Sequence, residues 1–196
     1  MRIIAGQWKG LKLEGGKNIE VRPLTDRIKE SVFGILGDSV IDANMLDLFA
    51  GSGSFGIEAL SRGAAQITFC EKIPAVANQI KKNLIKTKCE EEKYQIVISD
   101  VFKILPHLFN RNLIFDIIFV DPPFRDQINQ SFLTSLSEFN LLKRKGILIY
   151  RHHKKELVEE KNDFFEVYRS KKYGDSIVKF YRKIQTYEDS DISGNI

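Results

Sequence analysis

Cysteine, methionine and tryptophan are scarce in this chain, with two, two and one among 196 residues. Cys70 and Cys89 make neither a metal-ligand spacing nor a disulfide framework. A disulfide-stapled mini-protein is therefore excluded, and a reducing compartment is expected. No apolar run reaches the roughly 18 residues of a membrane-spanning helix. The opening Met1-Arg2-Ile3-Ile4-Ala5-Gly6 lacks a long apolar core ahead of a small-residue cleavage site, so no secretory signal is expected. Repeats and low-complexity stretches are missing too. With 43% hydrophobic and 29% charged residues, a disordered, collagen-like or coiled-coil chain is excluded. What remains is one globular domain, expected to be cytoplasmic, off the membrane and monomeric.

The formal net charge of +4 is unevenly spread. Residues 1–30 carry net +3, residues 31–142 net −3, residues 143–185 net +7 and the last eleven net −3. The basic excess thus sits at the two ends of the body, ahead of an acidic tail. Such a distribution suits a polyanionic partner. On charge alone a solvated lysine-rich surface fits as well.

Short apolar runs at 45–50, 66–70, 94–98, 115–120 and 146–150 read as strands. Helical spacing separates several of them. Val76, Ile80 and Leu84 follow Pro74, while Ile128, Phe132, Leu136 and Phe139 share one face. Upstream, Ile28, Val32, Ile35 and Leu36 define a helix closed by Gly37. Alternating strands and helices predict a parallel sheet covered on both faces. Residues 164–169 and 176–182 are too close for a crossover helix, so they predict an antiparallel hairpin with Lys171 and Lys172 on its loop. Residues 1–22 predict a small hairpin-like extension turning near Gly15-Gly16. The expected divisions are an amino-terminal extension over 1–24, a main domain over 25–185 and a disordered acidic tail over 186–196.

Chemistry begins at the end of the first strand. Asp47-Leu-Phe49-Ala50-Gly51-Ser-Gly53-Ser-Phe-Gly56 carries G-x-G-x-x-G between a strand and a helix. Glycines there permit a tight turn and let a ligand approach backbone N–H groups. A plain glycine turn has the same spacing. Glu71, twenty residues after Gly51, closes the second strand, where a carboxylate can accept both hydroxyl hydrogens of a ribose. This points to a nucleoside cofactor, with a dinucleotide still open.

Asp121-Pro122-Pro123-Phe124 follows the fourth strand, at the carboxyl edge where open α/β sheets bind ligands. Two prolines stiffen the backbone and remove two N–H donors, leaving carbonyls to face a substrate. A carboxylate and rigid carbonyls can accept the hydrogens of an exocyclic amine, and a phenyl ring can stack on its base.

Together these motifs resemble an S-adenosylmethionine-dependent methyltransferase of the Rossmann-like class that modifies exocyclic amines of bases. More specifically, the chain resembles the RsmD family of bacterial small-subunit rRNA guanine-N2 methyltransferases. The match rests on Arg2-Ile-Ile-Ala-Gly6, Lys9-Gly10, Arg22-Pro23-Leu24-Thr25-Asp-Arg27, Glu30-Ser-Val-Phe33, Glu58-Ala-Leu-Ser-Arg62-Gly-Ala64 and Tyr173-Gly174-Asp175. Leu24, where the family usually has a second threonine, and the acidic tail depart from it. The resemblance implies a seven-stranded, mostly parallel sheet with an antiparallel carboxyl-terminal hairpin. It implies that Asp47 and the Phe49, Ala50, Gly51, Gly53, Gly56 loop hold the methionine part of the cofactor, and Glu71 its ribose. Asp100 and the Val101 N–H would take the adenine, and Asp121 to Phe124 the target base.

Arg2, Lys9, Lys12, Arg22, Arg27, Lys171 and Lys172 are candidate RNA contacts, with Trp8 available for stacking. His107, His152 and His153 show no ligand spacing with the cysteines, so no metal is expected. The resemblance implies 16S rRNA in the small ribosomal subunit as the partner. A DNA adenine-N6 or protein-amide methyltransferase, a nicotinamide dehydrogenase and a non-catalytic RNA-binding protein are the rival readings. A dehydrogenase leaves Asp-Pro-Pro-Phe unexplained, and the other enzymes usually carry a recognition domain that 196 residues do not accommodate.

Overall fold

The structure, a computed structural model, describes residues 1–15, 24–123 and 129–184. Arg22, Phe124, Ile128 and the tail 186–196 lie outside the described residues. Helix α1 (Asp26–Leu36) starts where the Thr25 side chain accepts from the Ile28 N–H and stops at Gly37, as the sequence predicts. The other elements follow in order: β1 (Asn44–Leu48), α2 (Ser54–Ser61), β2 (Gln66–Glu71), α3 (Pro74–Thr87), β3 (Tyr94–Ile98), α4 (Val101–Asn110), β4 (Phe115–Val120), α5 (Asn129–Glu138), β5 (Leu142–His153), β6 (Phe165–Tyr173) and β7 (Ser176–Lys183).

Among the described residues one seven-stranded sheet has the order β3-β2-β1-β4-β5-β7-β6. All neighbours are parallel except the β5–β7 and β6–β7 pairs. The strand order reverses between β1 and β4, which is where an open α/β sheet forms its ligand crevice. Pleating sorts the side chains by parity. Met45, Ile117, Phe119, Ile149, Val178 and Phe180 join the core beneath α1, α2 and α3. Leu46, Leu48, Ile118, Val120, Leu148 and Tyr150 join the one under α4 and α5. Phe55 stacks on Phe119 with ring centroids 3.7 Å apart, fixing α2 against the sheet.

Two local expectations are corrected. The β6–β7 turn is tighter than the spacing predicts: the strands run to Tyr173 and from Ser176, with Gly174 at φ +58°. Lys171 and Lys172 therefore lie in β6, not on a loop. Likewise the amino-terminal hairpin turns earlier than the expected Gly15-Gly16, of which Gly16 lies outside the described residues. Arg2 pairs with Lys12, and the Ile3 N–H donates to Leu11 O while the Gly10 N–H donates to Ile3 O, so the turn lies between residues 3 and 11. The cause is a close approach. Gly6 (φ +82°) sits so near α2 that a Cβ there would fall 1.7 Å from Ser61 O.

Residues 1–15 pack against the body rather than hanging from it. Ile3 and Leu13 are buried, and the Ile4 and Ala5 N–H groups donate to the Glu58 carboxylate at 2.7 and 3.0 Å. Glu58 and Lys29 are both fully buried and 3.6 Å apart, and Lys29 Nζ also donates to Arg2 O. Removing one partner of such a pair strands a buried charge. Glu58→Gln is therefore expected to destabilise the fold by about 3 kcal/mol. The Glu58→Gln/Lys29→Met double variant should recover much of that loss, because the two sites are coupled. Urea unfolding of the single and double variants measures this, and a strictly additive double variant would refute the coupling.

Candidate active site

Asp47, Glu71, Asp100 and Asp121 all come to the carboxyl edge of the sheet, at or just beyond the ends of β1, β2, β3 and β4. Asp47 is 2% exposed and accepts from the Gly56 N–H at 3.2 Å. Burial drives its carboxyl well above the usual carboxylate range, and the nearby charges of Asp121 and Glu71 push the same way.

The glycine-rich loop is held from several sides. Phe49, Gly51 and Gly53 take positive φ values, and Gly53 is the cap that opens α2. A Cβ on Gly56 would lie 2.3 Å from Phe69 Cε1, so only glycine lets α2 lie this close to β2. At Gly51, by contrast, a Cβ would meet just Phe49 O at 3.9 Å, so the loop is open there. The Ala50 N–H donates to Cys70 O at 2.9 Å, which joins the loop to β2.

Glu71, 8% exposed, accepts from the Gly51 N–H at 3.0 Å and the Ile73 N–H at 2.9 Å, one on each oxygen. A carboxylate has about four lone-pair sites, so two remain for ribose hydroxyls. Asp100 is the N-cap of α4, accepting from the Phe102 N–H at 3.0 Å, and Val101 is the first helical residue. Ile73 and Phe102 are 42% and 40% exposed beside these carboxylates, apolar surfaces suited to a planar base. Burial, reinforced by the charges of Glu71, Asp100 and Asp47, pushes the Cys70 thiol up to about 12. The edge is rich in carboxylates, and a cationic nucleoside fits this set of acceptors.

Asp121 follows β4, with Pro122 buried and Pro123 exposed. Its carboxylate meets Arg151 of β5, with Nη1 2.7 Å from Oδ2. Burial raises the Asp121 carboxyl above its ordinary range, and Arg151 pulls it back down.

The sequence pattern does not single out Arg151, which stands beyond an apolar strand run with nothing local to mark its partner. Nor does it single out Asn83. This buried amide donates to Ser52 O and Glu14 O, both at 3.0 Å, and accepts from the Glu14 N–H at 2.9 Å. It thereby ties the glycine-rich loop to the amino-terminal hairpin. A polar residue beside Leu84 on the inner face of α3 is the one signal that marks it.

Arg2, Lys9, Lys12, Arg27, Lys171 and Lys172 are all exposed, while Trp8 is half-buried against the core. Ser31 of α1 hydrogen-bonds Tyr173 Oη, bringing the two basic ends of the chain together. Arg2 pairs with Asp26 at 2.9 Å, an exposed contact of little energetic weight. Among the described residues no group of three or more His, Cys, Asp and Glu side chains could share a metal ion, and no helix is long and apolar enough to cross a membrane.

The chain is similar to known proteins over most of its length. The family model described as Conserved hypothetical protein 95 matches residues 1–182. Ribosomal RNA small subunit methyltransferase D of Haemophilus influenzae is 39% identical over 163 residues, 83% of this chain and 84% of that one. The protein of the same name from Escherichia coli K12 is 34% identical, covering 97% and 94%. The solved structure of yhhF from Escherichia coli superposes with a TM-score of 0.79 at 32% identity, covering 93% of this chain and 97% of that one.

Proposed function

The chain belongs to the RsmD family of small-subunit rRNA methyltransferases, and from that membership we propose that it methylates the exocyclic N2 of a guanine in 16S rRNA, on the assembled small subunit. Its cofactor is S-adenosylmethionine, which when bound supplies a methyl carbon already activated by the adjoining sulfonium. In this reading the enzyme acts in the cytoplasm as a monomer.

The observation that carries the reading is the convergence of Asp47, Glu71 and Asp121 on one edge of the sheet, with Pro122 and Pro123 beside the last. Asp47 and the Gly51–Gly56 loop would hold the methionine portion, Glu71 the ribose, and Asp100 with the Val101 N–H the adenine. Asp121 and the Pro122 carbonyl would accept the hydrogens of the target amine. Guanine N2 is a weak nucleophile because its lone pair is delocalised into the ring. Acceptors on both hydrogens favour positive charge growing on nitrogen, and fixed geometry aligns the attacking atom. The base must leave its stack to reach this edge, and Phe124 would stack on it.

Arg2, Lys9, Lys12, Arg22, Arg27, Lys171 and Lys172 would contact phosphates, a role supported by the junction of α1 with the β6–β7 turn at Ser31 and Tyr173.

The test offers tritiated S-adenosylmethionine with small subunits lacking the modification, with naked 16S rRNA, or with DNA. Label is expected in N2-methylguanosine, strongest with subunits and absent with DNA. Label in another nucleoside overturns the base assignment, and preference for naked RNA overturns the particle.

A further inference from the structure

A buried arginine faces the proposed target-base site from a strand that carries none of the motifs. Val120 pairs with Tyr150 in the parallel β4–β5 ladder, so Asp121 and Arg151 are the next residues on adjacent strands. Arg151 is 1% exposed, deeper than Asp121, whose side chain is 17% exposed. Arginine is rarely this buried, because losing hydration is expensive unless the charge is met by a partner in good geometry. Nη1 lies 2.7 Å from Asp121 Oδ2, and Nη2 donates to Ser176 Oγ at 3.4 Å, so the guanidinium is braced between β4 and the start of β7.

We propose that Arg151 is a positioning residue for methyl transfer: braced on Ser176, it holds the Asp121 carboxylate as the acceptor of the target amine. This rests on the reading of Asp121 given above. Engagement of Oδ2 by Arg151 assigns Oδ1 to the amine.

The charged surroundings explain why such a residue is needed. Burial disfavours the ionised form of Asp121, and Glu156 beyond β5 sets negative charge against it. Arg151 is the cation set against both effects. Protonated Asp121 would present a hydroxyl donor in place of an acceptor, and would repel the hydrogens it has to hold.

The test measures kcat against pH for the full-length enzyme on small subunits, alongside cofactor affinity by calorimetry. Arg151→Met is expected to lower kcat about tenfold or more at neutral pH and to move the acidic limb upward by about one unit, with cofactor affinity unchanged. Arg151→Lys should restore the limb towards its original position, since the charge is retained without the planar fork. In an Asp121→Asn background, Arg151→Met should slow turnover no further, because the route through the carboxylate is already gone.

An unshifted limb, or full additivity with Asp121→Asn, overturns the proposal. Should Arg151→Met fail to fold, Ser176→Ala serves instead: it loosens one brace and should move the limb the same way by a smaller amount, and no movement is refutation. The two readings fail separately. If Asp121→Ala leaves turnover intact, the target-base assignment itself falls. If Asp121→Ala abolishes turnover while the Arg151 and Ser176 variants keep the limb in place, only the positioning role falls.

Discussion

Replacing Asp121 with alanine is expected to lower kcat by about a thousandfold while leaving S-adenosylmethionine affinity within about twofold of its original value. The magnitude is that of removing one preorganised polar group aimed at charge developing in a transition state. The separation of the two effects follows from topology. Asp121 directly follows β4, whereas Glu71 and Asp100 stand at or just beyond the ends of β2 and β3, on the other side of β1 in the sheet order. Loss of the carboxylate also takes a charged partner from the buried Arg151, so the melting temperature should fall. Single-turnover kinetics with calorimetry decide the matter. Parallel losses of turnover and cofactor affinity would place Asp121 in the cofactor site and end its assignment to the target amine.

The second large effect falls on Asp47. Its carboxylate is 2% exposed and has Asp121 and Glu71 as negative neighbours, so the folded protein resists its ionisation. A carboxyl whose folded pKa is raised favours the native state fully below its unfolded pKa. That contribution is lost as pH rises through the folded value. Asp47→Asn should therefore melt higher than the parent at pH 8, by roughly 2–4 °C for each kcal/mol relieved. The difference should shrink towards pH 4. Cofactor affinity should meanwhile drop by about tenfold or more at neutral pH, the loss of a charged hydrogen-bond partner. Melting curves across pH 4–9, paired with calorimetry, check both halves. A stability difference that is flat with pH would show that the Asp47 charge is not what strains the native state.

That combination is ordinary for a binding site. The carboxylate-rich edge is uncomfortable for the free fold and favourable once a cationic ligand arrives. The same tension accounts for the hydrogen bonds that restrain it, from the Gly56 N–H to Asp47 and from the Gly51 and Ile73 N–H groups to Glu71.

Much of the site is legible in the amino-acid sequence, and for a physical reason. Asp47 to Gly56 and Asp121 to Pro123 are contiguous runs in which backbone stiffness, missing N–H donors and absent Cβ atoms are written directly as glycine and proline. Glu71 is legible because β1, α2 and β2 form one compact unit, so a strand end recurs at a regular interval. Strand and helix periodicity likewise determined the parallel sheet, the α1 stop at Gly37, the carboxyl-terminal hairpin and, with the charge distribution, two basic ends flanking an acidic middle.

Tertiary structure decided what depends on contacts between distant residues. The amino-terminal turn lies near Gly6 because Ser61 of α2 approaches it, something no run of glycines at 15–16 announces. Lys171 and Lys172 lie in a strand because the β6–β7 register reaches as far as Tyr173 and Ser176. Arg151 reaches Asp121 across 30 residues, Asn83 ties Ser52 to Glu14, and Ser31 meets Tyr173 across 142. Local chemistry named the groups that would bind and react. Long-range packing of buried charge decided which of them are held, by which partners, and where the two basic ends of the chain come together.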